Sequence, residues 1–176
     1  MINLEQKYLL KLGKQMITLI QKRTQSGYDI EDKEFIPYSK KPFAMPVGAM
    51  TKRTLKALSL KRNKDEVVFF RKEGRALWVV IKGGYYRYKQ FAKTNAAGYS
   101  VDTVSLTMSG SMLRSLTVIN ASNNQIKIGF NNTAEASKAI WNIAKGRNFF
   151  GLSPNDIKKL DTQYFVIKEI KTNIAP

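Results

Sequence analysis

Four carboxylates stand within six residues, Asp29, Glu31, Asp32 and Glu34, and they form the only acidic cluster in the chain. Carboxylates at that density are what a metal-dependent nuclease requires, but such a site needs further ligands at fixed distances. No recognisable pattern supplies them, so a solvated or interface role is the competing reading. Ser109-Gly110-Ser111 is the second candidate, as a nucleophile turn. A serine nucleophile works through a base, however, and the chain has no histidine. It has no cysteine either, which removes disulfides, thiolate nucleophiles, zinc-finger sites and imidazole acid–base catalysis together. An enzyme would have to run on carboxylates, lysine, serine or tyrosine. That is possible but restrictive, and no cofactor or metal is expected.

Binding chemistry is better represented. Thirty Lys and Arg against thirteen Asp and Glu leave a net charge of +17. Such a field favours nucleic acid, an anionic surface or an acidic protein, unless it is only a solvated basic face. The excess is uneven: residues 52–93 hold thirteen Lys and Arg and three acids, a net +10. Lys52, Arg53, Lys56, Arg62, Arg87 and Lys89 are the candidate contacts to DNA or an acidic partner. Gly83-Gly84-Tyr85-Tyr86-Arg87-Tyr88-Lys89 interleaves aromatics with cations. That pattern suits base stacking with phosphate contacts, a tyrosine-rich interface, or a turn stapled to the core. Its glycine pair lacks the spacing of a phosphate-binding loop.

The elements that must position these residues follow from periodicity and punctuation. Leu4, Tyr8, Leu12, Met16 and Leu19/Ile20 recur every three to four positions, with Lys7, Lys11, Lys14, Lys22 and Arg23 between them, which predicts a long amphipathic helix to about Gln25. Residues 28–50 lack a sustained period and contain Pro37, Pro42 and Pro46, so a Pro-rich extended arm is expected there. A short basic helix follows from Met50 to about Arg62. Val67–Phe70 and Leu77–Ile81 read as strands of a packed hairpin, Val101–Thr107 as a short strand, and Leu116–Ala121 with Gln125–Phe130 as a second hairpin about Asn123-Asn124. Asn132, with Glu135 three positions on, caps a helix to about Lys145.

Gly146-Arg147-Asn148-Phe149-Phe150-Gly151 then sets two phenylalanines on a connection. It either folds back over its own core or meets another subunit. Ser153-Pro154-Asn155-Asp156 supplies a serine cap, a proline at the first helical position and an acid at the positive helix end, opening a last helix to about Lys171. The fold class expected is α+β, with a central antiparallel sheet, a long N-terminal helix and two C-terminal helices, in a single domain over 1–176. No run of about 18 apolar residues is present, so no membrane partner is expected. The start lacks the apolar core of a secretory signal, which implies cytoplasmic synthesis.

The order of these features resembles the tailed-phage virion-morphogenesis proteins, also described as tail-completion or neck proteins. The matching pieces are Arg23 to Gly27 followed by Phe35-Ile36-Pro37-Tyr38-Ser39; Val104-Ser105-Leu106-Thr107 leading to 109–116; the strand Ile126 to Phe130; and 146–153 with Asp156. The resemblance implies a structural virion protein of a tailed phage, made in the host cytoplasm and joining a ring at the head–tail junction, of six copies, with other neck, connector or tail proteins. It implies no catalysis.

Rings are heterologous assemblies in which one patch of each copy meets a different patch of the next. Phe35, Pro37, Tyr38 and Phe43 of the arm, with Arg147, Phe149 and Phe150, are the candidate interface residues. A basic surface would face an acidic neighbouring ring or the genomic DNA, with salt-sensitive, phosphate-directed contact and no base readout. The competing function is a stand-alone basic nucleic-acid-binding protein. A carboxylate nuclease on Asp29 to Glu34 comes third.

Overall fold

The computed structural model describes residues 4–72, 76–93, 102–106, 110–123 and 125–164. In chain order the elements are α1 (Leu4–Gln25), β1 (Phe43–Pro46), α2 (Lys52–Leu58), β2 (Val67–Lys72), β3 (Ala76–Ile81), α3 (Gly84–Lys93), α4 (Ser111–Arg114), β4 (Leu116–Ser122), β5 (Gln125–Phe130), α5 (Thr133–Ala144) and α6 (Pro154–Tyr164). The class is α+β, and every strand pairing is antiparallel. Among the described residues the strands fall in two sheets, of three and two strands. Two compact units divide the chain where one domain is expected: Met1–Ile36 with Val104–Pro176, and Pro37–Thr103.

In the first unit α1 lies across the β4–β5 hairpin. Its buried seam is Leu9, Leu12, Gly13, Ile17, Ile20 and Thr24, rotated from the expected stripe so that Tyr8 faces outward. Gly13 explains the rotation. A Cβ there would lie 2.6 Å from Cγ2 of Val118 and 3.0 Å from Cγ2 of Ile126, so the helix meets the hairpin at the one residue without a side chain. α5 begins as expected, with Asn132 Oδ1 accepting from the N–H of Ala134 (2.8 Å) and of Glu135 (3.3 Å). The part of the last helix expected beyond Tyr164 lies outside the described residues. Residues 102–106 do not form the expected strand. Leu106 sits at φ 47°, which breaks extended geometry, while Val104 and Ser105 are buried as irregular chain.

The second unit is a sheet in the order β1-β3-β2 with helices against one face. Its core is Leu58, Val67, Val79, Ile81, Tyr88 and Phe91, with Phe43, Met45 and Tyr85 packed on it. Each such aliphatic side chain contributes about 1.5–3 kcal/mol by leaving water. The Pro-rich arm is therefore not an arm throughout. Residues 43–46 pair with 78–81, and Pro46, which has no N–H to give, stands on the edge strand where none is demanded. The aromatic–cation stretch is also regular: it is α3, whose Tyr85, Tyr88 and Phe91 recur every three residues on the core side.

Gly84 makes the entry to α3 possible. At φ +69° its missing Cβ would stand 2.4 Å from Ser39 O and 2.6 Å from Lys41 O, so the chain at 39–41 crosses directly over it.

Candidate functional site

The residues of the first unit that carry chemistry converge on the turn between α5 and α6. Arg23, in the last turn of α1, is expected among the outward cations but turns inward and is buried. Its Nη1 pairs with Asp156 Oδ2, and its Nη2 donates to Phe149 O (2.7 Å) and Gly151 O (2.9 Å). One planar guanidinium thus holds a carboxylate and two loop carbonyls at once, which lysine's single ammonium would not reproduce. Asp156 Oδ2 also accepts from Ser153 N (3.2 Å), while Ser153 Oγ accepts from Asp156 N (3.2 Å), closing a reciprocal cap on α6.

Residues 28–36 form a hook over the same turn. Tyr28 bridges Glu34, Phe35 N donates to Gly27 O (2.8 Å), and Ile30 N donates to Asn148 O (2.9 Å). Arg147 Nε reaches Ile36 O at 3.4 Å.

Three of the four carboxylates of the acidic cluster are engaged within this hook or by the turn beneath it. Asp29 Oδ1 accepts from the N–H of Glu31 (2.8 Å) and of Lys33 (2.9 Å), Glu31 pairs with Lys33 at 2.6 Å, and Asp32 Oδ2 accepts from Asn155 N at 3.2 Å. Among the described residues no group of three or more acidic side chains is placed to hold a metal ion. An open hollow of about 650 Å³ borders the node. It is lined by Lys22, Lys158 and Lys159 and by Asp32 and Asp156, whose carboxylates are already engaged.

Burial pushes the Asp32 carboxyl up, but the Ser153 hydroxyl, the Asn155 N–H and the Arg23 charge outweigh it and hold Asp32 below the usual carboxylate range. A lowered folded pKa gives stability that is present above the unfolded value and lost as pH falls through the folded one. Asp32→Asn is therefore expected to flatten the decline of stability below about pH 4, measured as the urea midpoint at neutral and acid pH. Asn tolerates the φ of 59° at this position, so the backbone is not strained by the change. A decline as steep as that of the parent would assign the acid sensitivity to other carboxylates.

The expected interface residues divide. Phe149 and Phe150 are buried within the chain, and the Phe150 ring lies 5.4 Å from that of Phe130. The segment folds back over its own core. Phe35 and Tyr38 are buried too, Phe43 and Arg147 are half-buried, and Pro37 is exposed.

The expected anion contacts divide as well. Lys52, Arg53 and Lys56 are exposed on α2. Arg62 lies in the short turn Lys61–Asn63, its side chain outside the described residues. Arg87 pairs with both oxygens of Glu66. Lys89 is 3% exposed, and its ammonium donates to Tyr38 Oη at 2.6 Å. The tyrosines are similarly committed: Tyr85 packs edge-on against Tyr38 and Phe43, and Tyr86 donates to Asp102 Oδ1 at 2.7 Å.

Periodicity did not show that the second unit's sheet is apolar on both faces. Pairing of Val68 with Val80, Phe70 with Trp78, and Ala44 and Pro46 with the same two β3 residues puts all six on the face opposite the core. Val68 is 43% and Phe70 38% exposed. The continuous run Val67-Val68-Phe69-Phe70 carries this signal, since a strand wet on one face would alternate. No helix among the described residues is long and apolar enough to cross a membrane.

Comparison of the chain with protein-family models, curated proteins and solved structures finds no match in any of the three.

Proposed function

We propose that this chain is a structural virion protein of a tailed phage, forming part of a ring at the head–tail junction by protein–protein assembly, and that it is not an enzyme. The observation that carries the reading is where the resembling segments lie. Arg23, Phe35, the strand 126–130, the loop 146–153 and Asp156 are far apart in sequence and belong to one unit, with Arg23 bonded to Phe149, Gly151 and Asp156, while Pro37, Tyr38 and Ser39 of the same pattern fall in the other. The residues 37–103 form a separate compact unit between those segments. The partly exposed apolar face of Val68, Phe70, Trp78 and Val80 supports assembly, since exposed apolar patches of this kind mark contact surfaces.

Electron microscopy of lysates after disruption of the gene in its resident phage tests the reading. Filled heads and finished tails lying apart are the expected result, and Val68→Lys with Phe70→Lys should give the same separated parts. Joined particles with failed DNA replication or packaging would instead favour the stand-alone nucleic-acid-binding protein.

A further inference from the structure

We infer that the second unit binds the phosphate backbone of duplex DNA through the exposed face of α2, with Lys52, Arg53 and Lys56 reaching the phosphates. Residues 37–103 contain fifteen Lys and Arg and four acids, a net +11, so most of the chain's +17 is concentrated in this one unit. Within it, α2 is built against its own electrostatics. Lys52 and Arg53 occupy the first turn, where the helix dipole favours acids, and that turn contains none. Lys52 and Lys56 are a like-charged pair one turn apart, which is also destabilising.

The helix holds because Thr51 Oγ1 accepts from Thr54 N at 3.2 Å and because Thr54 and Leu58 are buried. The three cations lie on the side opposite those two. Side chains that cost local stability and stand exposed together are the mark of a binding surface.

The partner's class follows from what accompanies the cations. Single-stranded nucleic acid is held by aromatic platforms among the cations, but Tyr85 and Tyr88 belong to the core, Tyr86 is bonded to Asp102, and the exposed Phe70 lies on β2, on the sheet face opposite the core, and not on α2. A protein partner is held by apolar or aromatic anchors at the centre of an interface, and the exposed positions of α2 are the three cations alone. Exposed Lys61 and Lys64 follow in the next turn. A duplex, which presents phosphates without splayed bases, fits this composition. The binding goes beyond the assembly reading and is separable from it.

The test is fluorescence anisotropy of the purified full chain with a labelled duplex over a range of salt concentrations. The comparison is between Lys52→Gln/Arg53→Gln/Lys56→Gln and a control, Lys7→Gln/Lys11→Gln/Lys14→Gln, which loses the same charge from exposed positions of α1. Saturable binding is expected for the parent. The α2 variant should lower the slope of log K against log salt by about 0.9 for each phosphate no longer neutralised, about 2.7 in all, and the α1 control should leave it unchanged.

Equal losses in both variants would reduce the effect to net charge and overturn the assignment. So would absence of saturable binding at low salt, tighter binding of a single strand of the same length, or competition by polyglutamate as strong as by unlabelled duplex, which would point to an acidic protein. Circular dichroism of both variants checks that each is folded. None of these outcomes bears on whether heads and tails join, so the assembly reading stands or falls on microscopy alone.

Discussion

Arg23→Ala is expected to destabilise the first unit by about 3–5 kcal/mol, because it leaves Asp156 buried without its cation and strips Phe149 O and Gly151 O of their donor. The loss should be local before it is global. Amide exchange read by mass spectrometry should accelerate in 28–36 and 147–156, the two segments that close over the node, and leave 67–72 and 76–81 protected. Arg23→Lys should fall between, since one ammonium keeps the charge but cannot serve three acceptors in the same plane. Unchanged protection of 147–156 in Arg23→Ala would mean that the turn is held by the burial of Phe149 and Phe150 alone.

Gly84→Ala carries the second large expectation, in the other unit. Alanine at φ +69° costs about 1–2 kcal/mol in backbone strain. Its methyl would also drive into backbone at 39–41, where nothing flexible can yield, adding about 1–3 kcal/mol. The helix entry and the Tyr86 N–H bond to Ser39 O (3.1 Å) should loosen together. Trp78 in β3 reports on this unit, while Trp141, 56% exposed, changes little on unfolding. Urea titration followed by tryptophan fluorescence should therefore show an earlier midpoint. Gly48→Ala is the control: nothing lies within 4 Å of its added Cβ, and a shift within about 0.5 kcal/mol is expected. Equal midpoints for the two variants would rule out the crossing at 39–41 as a constraint.

Much of this architecture is legible in the sequence, because its signals are local. The Asn132 cap, the Ser153-to-Asp156 box and both hairpins are specified by residues within a few positions of one another. What is not legible depends on distant chain. β1 is a strand only because 43–46 finds 78–81, and nothing in a proline-rich segment announces that partner. Arg23 and Lys89 look like ordinary surface cations until Asp156 and Tyr38, 133 and 51 residues away, are brought to them. The spacing of Tyr85, Tyr88 and Phe91 is a helical signal in plain view. It is obscured by Tyr86 and Arg87 beside it and by a glycine pair that looks like a turn. The candidate surfaces follow the same rule: the exposed cations of α2 are read directly, whereas burial of the phenylalanine pair requires the hook that covers it.

The node that joins Arg23 to Asp156 also imposes an order on folding. Residues 37–103 hold a core and a sheet made wholly from themselves, so this unit is complete as soon as its own stretch has left the ribosome. The first unit has no such independence. Its N-terminal helix must wait, with Leu9, Leu12, Ile17 and Ile20 uncovered, until the β4–β5 hairpin is made, and its last lock must wait for Asp156. Synthesis therefore passes through a state with one unit finished and an apolar helix face open to solvent, and that interval is where the nascent chain is most exposed to aggregation and to chaperones.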